Sequence, residues 1–385
     1  MRAYVFSDAA LRKHARQFAW LSIDTEKPKN AAFLEKFPIQ GWPTLLVVDP
    51  AAEKAALRWY GSATVSQLAR LLEDGERAVR ASGGETAEAA LARADRLNAE
   101  RKAAEAVAAY QEALRLGGPD WPRRPRAVES LTVALQFARE RERCATTALQ
   151  EAPRLPRGPS FANLVNTGLL CTLGAPREAS WRAEALGALK PLAEEALRLP
   201  NLLADDRSGL YDSLVSIHQE QGDAADAREL AGEWLTFLEK EAARAQNPEA
   251  RAAFDSHRVA AALRLGDPAR VLNALVASER DLPDDYNPAA RLATVYRELG
   301  RYDEALAASA RALAKAYGPR RLLVYQVRAS IFQKKGDAAS ARRTLQEAVQ
   351  YASSLPKTQV SEQQIASLKR QLEALAGNAT ADPRR

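Results

Sequence analysis

A short turn motif recurs along the second half of the chain and limits what that half can fold into. Residues 221–228 (QGDAADAR) closely match residues 335–342 (KGDAASAR), and related turns lie at Gly266 and Gly300. Glycine ends a helix in the left-handed conformation at low cost, and an aspartate directly after it is suited to cap the next helix. Each turn therefore predicts a helix, a tight turn and a second helix.

The spacing of these turns predicts a stack of helix pairs. Gly266, Gly300 and Gly336 are spaced 34 and 36 residues apart. Alanines recur at fixed distances after the turn glycines, and small side chains there let antiparallel helices approach closely. The pattern resembles the tetratricopeptide repeat, whose period is about 34 residues, and residues 287–318 match it best. The predicted structural signature positions are Gly222, Ala227, Gly266, Leu292, Tyr296, Gly300, Ala305, Ala312, Gly336, Ala341 and Ala348.

The repeats are expected to extend over residues 86–375. Gly174, Gly222 and Gly266 are 48 and 44 residues apart, so the central units should carry longer helices or loops. A first unit around residues 86–116 has Arg101 in place of its turn glycine. Residues 81–85, rich in small residues, are interpreted as a linker, and residues 376–385 as a flexible tail.

A different pattern precedes the linker. Thr44–Asp49 is apolar and rich in β-branched residues, which predicts a strand, and Pro43 stands at its entrance, where no ladder donor is needed. Trp42 is held extended by the proline that follows it. An X-Pro bond at such a bend is a candidate for the cis isomer.

The elements around this bend resemble the thioredoxin family over residues 1–80. In that family a cis-proline before a strand lies opposite a Cys-x-x-Cys pair and next to a site that pairs with extended peptides. The resemblance therefore implies Trp42, Pro43 and Thr44 as peptide-binding candidates. The predicted elements are strands at Phe18–Asp24, Thr44–Asp49 and Lys54–Tyr60 and helices at Pro28–Lys36 and Thr64–Val79.

Two features of the family are missing from residues 1–80. There is no Cys-x-x-Cys pair and no segment that would supply the central strand. One interpretation is a degenerate thioredoxin-like domain without redox chemistry. The other is the remainder of a thiol-disulfide oxidoreductase whose cysteine segment lies upstream of Met1. A sheet that lacks its middle strand should be marginal, because strand edges stay unpaired.

Charge and residue usage exclude several classes of function. The 55 Lys and Arg against 49 Asp and Glu give a net charge of +6, but the charges alternate along helices, so no nucleic-acid partner is expected. Cys144 and Cys171 are interpreted as separate small core residues. His14, His218 and His257 share no ligand spacing, so neither a metal nor another cofactor is expected.

No apolar run is long enough to predict a membrane span, and Met1–Phe6 lacks a signal-peptide core. The chain as written is expected in the cytoplasm. A periplasmic or secreted location is expected instead if a leader precedes Met1.

The predicted fold class is mostly α: a small α/β thioredoxin-like domain, with or without its central strand, followed by a tetratricopeptide-type helical solenoid. Stacked helix pairs present an extended surface to other proteins, so we expect protein or peptide partners in the solenoid groove. The chain is interpreted as a bacterial protein-interaction scaffold. The alternative is an oxidoreductase in which the repeats recruit substrate proteins. Motifs typical of kinases or hydrolases are absent from the sequence.

Overall fold

A computed structural model describes residues 5–80 and 84–380 of the chain. Its described residues divide into two compact units. The first contains residues 5–20 together with residues 40–234, and the second contains residues 21–39 together with residues 235–380. Residues 81–83 of the predicted linker lie outside the described residues, and the boundary at 81–85 remains a prediction.

The described part of the first unit begins with a 3₁₀ helix (Ala9–His14), and a two-stranded antiparallel sheet follows it in this unit. β1 (Thr44–Asp49) pairs with β2 (Lys54–Tyr60), with Thr44 opposite Tyr60 and Asp49 opposite Lys54. Every residue of β1 is half-buried, whereas most of β2 is buried. α2 (Val65–Arg80) packs on this pair through leucines that recur at helical spacing. Both strands lie where the sequence predicted them.

The strand predicted at Phe18–Asp24 is wrong. Residues 19–24 have no regular secondary structure, and the segment crosses from the first unit to the second after Trp20. A strand needs a neighbour to satisfy its backbone hydrogen bonds, and in the described residues β1 and β2 pair only with each other. The helix predicted at Pro28–Lys36 is present as a short 3₁₀ turn (Pro28–Asn30) followed by α1 (Ala31–Lys36).

The rest of the first unit is helical, and buried apolar residues from α3 to α9 form one continuous core. Arg101 has a φ of 64°, so it occupies the left-handed position that glycine takes in other turns. Arg139 has a φ of 62° and does the same one helix pair later. The helices are α3 (Ala87–Ala99), α4 (Ala103–Gly117), α5 (Arg124–Phe137), α6 (Arg141–Glu151), α7 (Pro159–Leu173), α8 (Arg182–Leu197) and α9 (Ala204–Gln221).

The two cysteines of the chain are bonded to each other, contrary to the prediction from the sequence. Cys144 on α6 and Cys171 on α7 form a disulfide, with their Cα atoms 6.3 Å apart, and both are buried. The interpretation as two separate core thiols is therefore wrong. The two cysteines are 27 residues apart in the sequence, and this separation does not determine the distance between their Cα atoms. They come within bonding distance because α6 and α7 pack side by side.

α10 (Ala224–Ala243) contains the sequence boundary between the units, and the helices after it belong to the second unit. α9 and α10 are 18 and 20 residues long, against 12 and 14 for α14 and α15, in agreement with longer central helices. The later helices are α11 (Pro248–Ala252), α12 (Asp255–Leu265), α13 (Leu272–Asp281), α14 (Asn287–Glu298), α15 (Tyr302–Lys315), α16 (Gly318–Lys334), α17 (Ala338–Ser354) and α18 (Glu362–Thr380).

The helix turns follow the predicted chemistry in part. Gly300 and Gly336 have φ values of 72° and 86°, so both end their helices in the left-handed conformation. Asp337 caps α17 by accepting a hydrogen bond from the backbone N–H of Ser340 at 2.9 Å. Asp267 directly follows Gly266 and was therefore expected to cap the next helix, but its side chain makes no such bond, so that expectation is wrong.

Among the described residues, no helix combines the length and the hydrophobicity that crossing a bilayer requires.

Candidate functional site

An acidic turn from the N-terminal part of the chain lies on the C-terminal repeats. We use the name "acidic turn" for residues 24–27, Asp-Thr-Glu-Lys. The backbone N–H of Glu26 donates to Asp24 Oδ1 at 2.9 Å, and that of Lys27 donates to the Asp24 carbonyl at 3.4 Å. Asn30 Nδ2 donates to the same carbonyl at 2.6 Å. These local bonds fix the turn and leave Asp24 Oδ2 and the Glu26 carboxylate for other partners.

Side chains from two successive repeats hold the carboxylates of the acidic turn. The Tyr317 hydroxyl donates to Asp24 Oδ2 at 2.7 Å. The Tyr286 hydroxyl donates to Glu26 Oε2 at 3.0 Å, and Arg320 Nε donates to Glu26 Oε1 at 2.9 Å. Each carboxylate therefore has a hydroxyl donor, and Glu26 also has a guanidinium partner.

The backbone and the basic end of the turn are recognised as well. Gln359 Nε2 donates to the carbonyl of Thr25 at 3.1 Å. The Lys27 ammonium lies 5.6 Å from the ring centroid of Tyr317, within the range of a cation–π contact. The rings of Tyr317 and Tyr286 contact edge to face, with centroids 6.0 Å apart. We call Tyr286, Tyr317, Arg320 and Gln359 the turn-binding face.

The position of this face in the repeats accounts for the two carboxylates that lie beside it. Tyr286 directly precedes α14, and Tyr317 and Arg320 lie at the start of α16. Helix N-termini carry a partial positive charge and unpaired N–H groups, so carboxylates are favoured beside them. Gly318, with a φ of 56°, lets the backbone of Glu26 come close, because a Cβ there would clash with the Glu26 carbonyl.

Burial and charge shift the ionisation of this site. Desolvation raises the pKa of Glu26, and the hydrogen bonds from Tyr286 and Arg320 offset only part of that rise. The hydrogen bond to Asp24 is the largest cause that raises the pKa of Tyr317 to about 12. Burial also raises the pKa of Tyr286. Both tyrosines therefore stay protonated donors at neutral pH.

The bend predicted to bind peptides lies in the first unit. The Trp42–Pro43 peptide bond is cis, and the Trp42 side chain is 63% exposed. Thr44 Oγ1 donates to the Gly41 carbonyl at 2.6 Å, and the backbone N–H of Gly61 donates to the Pro43 carbonyl at 2.9 Å. The three residues are thus together at the entrance of β1, and their role in peptide binding stays a prediction.

The predicted repeat positions occupy packed or turning sites. Ala305, Ala312, Ala341 and Ala348 are fully buried. Gly222 and Gly266 have φ values of 85° and 81°, and Ala227 and Leu292 are buried. Trp234 is core, whereas Trp181, Tyr296 and Tyr302 are half-buried.

Sequence reasoning missed the turn-binding face. Its residues are separated from the acidic turn by more than 250 positions, and no local pattern links an Asp-Thr-Glu segment to distant tyrosines. The available signal was the pair of aromatic residues at the starts of two successive repeats, Tyr286 and Tyr317, where signature positions do not require them.

A second group was also missed. His218 Nδ1 lies 3.7 Å from Asp223 Oδ2 and 3.8 Å from Asp226 Oδ2, across the turn between α9 and α10. This is the one place where the described residues bring three potential metal ligands together. Asp223 and Asp226 are both exposed, and exposed acidic groups often gather in this way without a metal, so we assign no metal to this group.

Comparisons with known proteins support the repeats. Residues 286–354 match the sequence model of the tetratricopeptide repeat. No characterised protein sequence matches the chain. These 69 residues, which include Tyr286, Tyr317 and Arg320, confirm for this part of the chain the repeats predicted from the turn spacing.

Several solved structures are similar to the chain at low sequence identity. A tetratricopeptide repeat protein from Parabacteroides merdae has 10% identity and a TM-score of 0.48, and covers 76% of this chain and 100% of its own. The TPR2AB domain of yeast Sti1, solved in a pHSP90 complex, has 17% identity and a TM-score of 0.29, with coverages of 76% and 98%. Yeast Tom70 has 11% identity and a TM-score of 0.37, with coverages of 84% and 77%.

Proposed function

We propose that this chain is a protein-interaction scaffold whose tetratricopeptide repeats bind acidic peptide turns. The observation that supports the proposal is the occupied turn-binding face, where the repeats hold two carboxylates and a backbone carbonyl of the acidic turn. A surface that binds one segment through its charge pattern is suited to bind another segment with the same pattern. The acidic turn then acts as an internal ligand that a partner must displace.

The contacts define the chemistry of such a partner. The segment needs two acidic residues separated by one residue, because Tyr317 and the Tyr286–Arg320 pair each receive one carboxylate. A basic residue after the second acid would lie over the Tyr317 ring. A neutral segment would leave the hydroxyl of the half-buried Tyr286 without its carboxylate acceptor, and an unpaired buried donor costs about 1–3 kcal/mol.

The test adds the acidic turn as a separate peptide to a chain whose own acidic turn has lost both carboxylates. A labelled peptide spanning residues 21–33 is titrated into the full chain carrying Asp24→Ala and Glu26→Ala, and binding is followed by fluorescence anisotropy. We expect the double variant to bind the peptide, because its face is vacated. The wild-type chain should bind it at least about tenfold more weakly, since the internal turn competes at high effective concentration.

Further substitutions locate the binding site. Arg320→Ala and Tyr317→Phe, each added to the double variant, should weaken peptide binding about tenfold or more, as expected for a charge-assisted or buried hydrogen bond. Arg342→Ala is the matched control, because Arg342 is an exposed arginine of α17 outside the turn-binding face. If Arg342→Ala weakens peptide binding as much as Arg320→Ala does, or if the peptide does not bind the double variant at all, the repeats do not recognise this turn.

A second proposal concerns residues 5–80. We infer a thioredoxin-like origin from the order of α1, β1, β2 and α2 and from an exposed tryptophan at the proline bend. Both cysteines lie outside this region and form a disulfide with each other, so residues 5–80 offer no thiol for dithiol exchange. The proposed role is peptide binding at Trp42, Pro43 and Thr44, and an oxidoreductase would require a cysteine pair from another segment.

The disulfide also bears on location. Disulfides persist in oxidising compartments and are rare where glutathione keeps thiols reduced. The Cys144–Cys171 bond therefore supports the periplasmic or secreted alternative for this protein over the cytoplasmic one.

A further inference from the structure

A polar cavity in the first unit contains carboxylates that the interaction function does not use. It has a volume of about 160 Å³ and lies between β2 and the helices α5, α7 and α9. A cavity of about 150 Å³ holds a molecule the size of benzene, so this one can take a ligand of about six non-hydrogen atoms. Its wall includes two carboxylates, Glu129 and Asp206, and the guanidinium of Arg58.

Glu129 lines the cavity and is only 4% exposed. Its Oε1 accepts a hydrogen bond from Asn163 Nδ2 at 2.8 Å. Its Oε2 is buried without a hydrogen bond of standard geometry, although the Ser160 hydroxyl is close enough to lower the pKa of Glu129. A buried carboxylate oxygen without a donor is costly, and a ligand that brings an N–H group would remove that cost.

Asp206, in the first turn of α9, presents a second such oxygen. Its Oδ2 is also buried without a hydrogen bond of standard geometry, although the nearby Ser62 hydroxyl lowers the pKa of the Asp206 carboxyl. Arg58 carries the one guanidinium of the wall, and its Nη1 donates to the Tyr60 hydroxyl and its Nη2 to the Ala99 carbonyl, each at 3.1 Å. With both acids ionised, the cavity wall carries one more negative charge than positive charge.

We propose that this cavity is a binding site for a small organic ammonium ion whose N–H groups bond to Glu129 Oε2 and Asp206 Oδ2. One ammonium charge balances the excess negative charge of the wall, and its aliphatic part would lie against Trp59 and Val133. A divalent metal fits less well, because Arg58 belongs to the same wall and the two acids do not form a three-ligand cluster in the described residues. Burial raises the pKa of both Glu129 and Asp206 to about 7, so binding should strengthen when both groups ionise.

The probe pair is n-butylammonium and 1-butanol, which have the same size and differ in charge. Each is titrated by calorimetry into the full chain at about pH 8, where both carboxyl groups are mostly ionised. We expect one butylammonium to bind per chain, and 1-butanol to bind at least about tenfold more weakly. At about pH 6 the affinity for butylammonium should fall, because protons then compete for the same oxygens.

Two variants and one control test the site itself. Glu129→Gln and Asp206→Asn keep the shape of the wall and should each reduce butylammonium affinity about tenfold or more. Glu184→Gln, an exposed acid of α8 in the same unit, should leave the affinity unchanged. Unchanged affinity in both cavity variants, equal binding of 1-butanol, no binding of either probe, or tighter binding of Ca²⁺ alone would overturn the proposal.

Discussion

The carboxyl group of Glu129 makes the stability of the first unit depend on pH. Burial, and then the charge of Asp206, raise its pKa from 4.5 to about 7, while hydrogen bonds from Asn163 and Ser160 and the charge of Arg126 act in the opposite direction. Because the folded-state pKa lies above the unfolded value, protonation favours the folded state. That contribution is complete below about pH 4.5 and is lost as the pH rises through 7.

We therefore expect the free energy of unfolding to fall between about pH 5 and pH 8, with Glu129 contributing on the order of 3 kcal/mol. Glu129→Gln should remove that part of the slope, because an amide has no proton to lose. Urea unfolding at several pH values measures it. Glu184→Gln should keep the wild-type slope, and an unchanged slope in Glu129→Gln would show that Glu129 ionises at its ordinary pKa.

For single residues, the sequence predicts the backbone conformation better than it predicts the burial of the side chain. Gly300 and Gly336 were recognisable because a helix-ending glycine has a local signature, and Arg101 could be placed by its position in the repeat. Glu129 had no such signature, since on the sequence it is one of many charged helix residues. Its burial depends on β2 and α7 packing against α5, which no local pattern encodes.

At the level of elements, β1 lacks a neighbouring strand on one of its two edges in the part of the chain that the structure describes. In the described residues it pairs with β2 alone, so its other edge offers unpaired N–H and C=O groups, and Trp42 stands exposed at its entrance. If residues 5–80 have the proposed thioredoxin-like origin, we expect the backbone of an extended peptide to pair with the chain at the Trp42–Pro43 bend. Exposed aromatics at such sites often dominate binding energy.

We expect a fluorescein-labelled extended peptide of alternating threonine and valine to bind the chain, and Trp42→Ala to weaken binding about tenfold or more. Fluorescence anisotropy measures both. Trp20→Ala is the control, because Trp20 is also exposed, at 45%, and its ring contacts those of Phe6 and Phe18. If both substitutions have the same effect, the bend does not bind peptides.

Elements with strong local patterns were predicted well, and those that need a distant partner were not. β1, β2 and α2 have clear apolar periodicity and begin or end within a residue or two of their predicted positions. Phe18–Asp24 has a strand-like pattern but found no neighbouring strand. Its last residue instead begins the acidic turn, because helix N-termini and tyrosines of the second unit offer partners to its carboxylate.

The whole molecule shows an arrangement that sequence reasoning had no means to predict. Residues 21–39 fold with residues 235–380, although residues before and after them belong to the first unit. Sequence composition suggested a single boundary near residue 81. Membership in a unit is decided by long-range contacts, such as that between Glu26 and Tyr286, and not by the order of segments along the chain.

The Cys144–Cys171 disulfide provides a way to test these two units separately. It closes a loop across 27 residues within the first unit, and loop-closure entropy predicts a stabilisation of about 3.5 kcal/mol. Reduction should therefore speed hydrogen exchange in α6 and α7 and leave α14 to α17 unchanged. Exchange followed by mass spectrometry reports on both units in one sample.

The variant Cys144→Ala/Cys171→Ala serves as the control, because it has no bond to reduce. It should exchange like the reduced wild-type chain and show no further change when reductant is added. Thiol titration of the denatured, unreduced wild-type chain should find no free thiol, since the bond joins the chain's two cysteines. Two free thiols would contradict the bond. Equal acceleration of exchange in α14 to α17 would instead show that the two units unfold together, because a constraint confined to the first unit acts directly only on the unit that contains it.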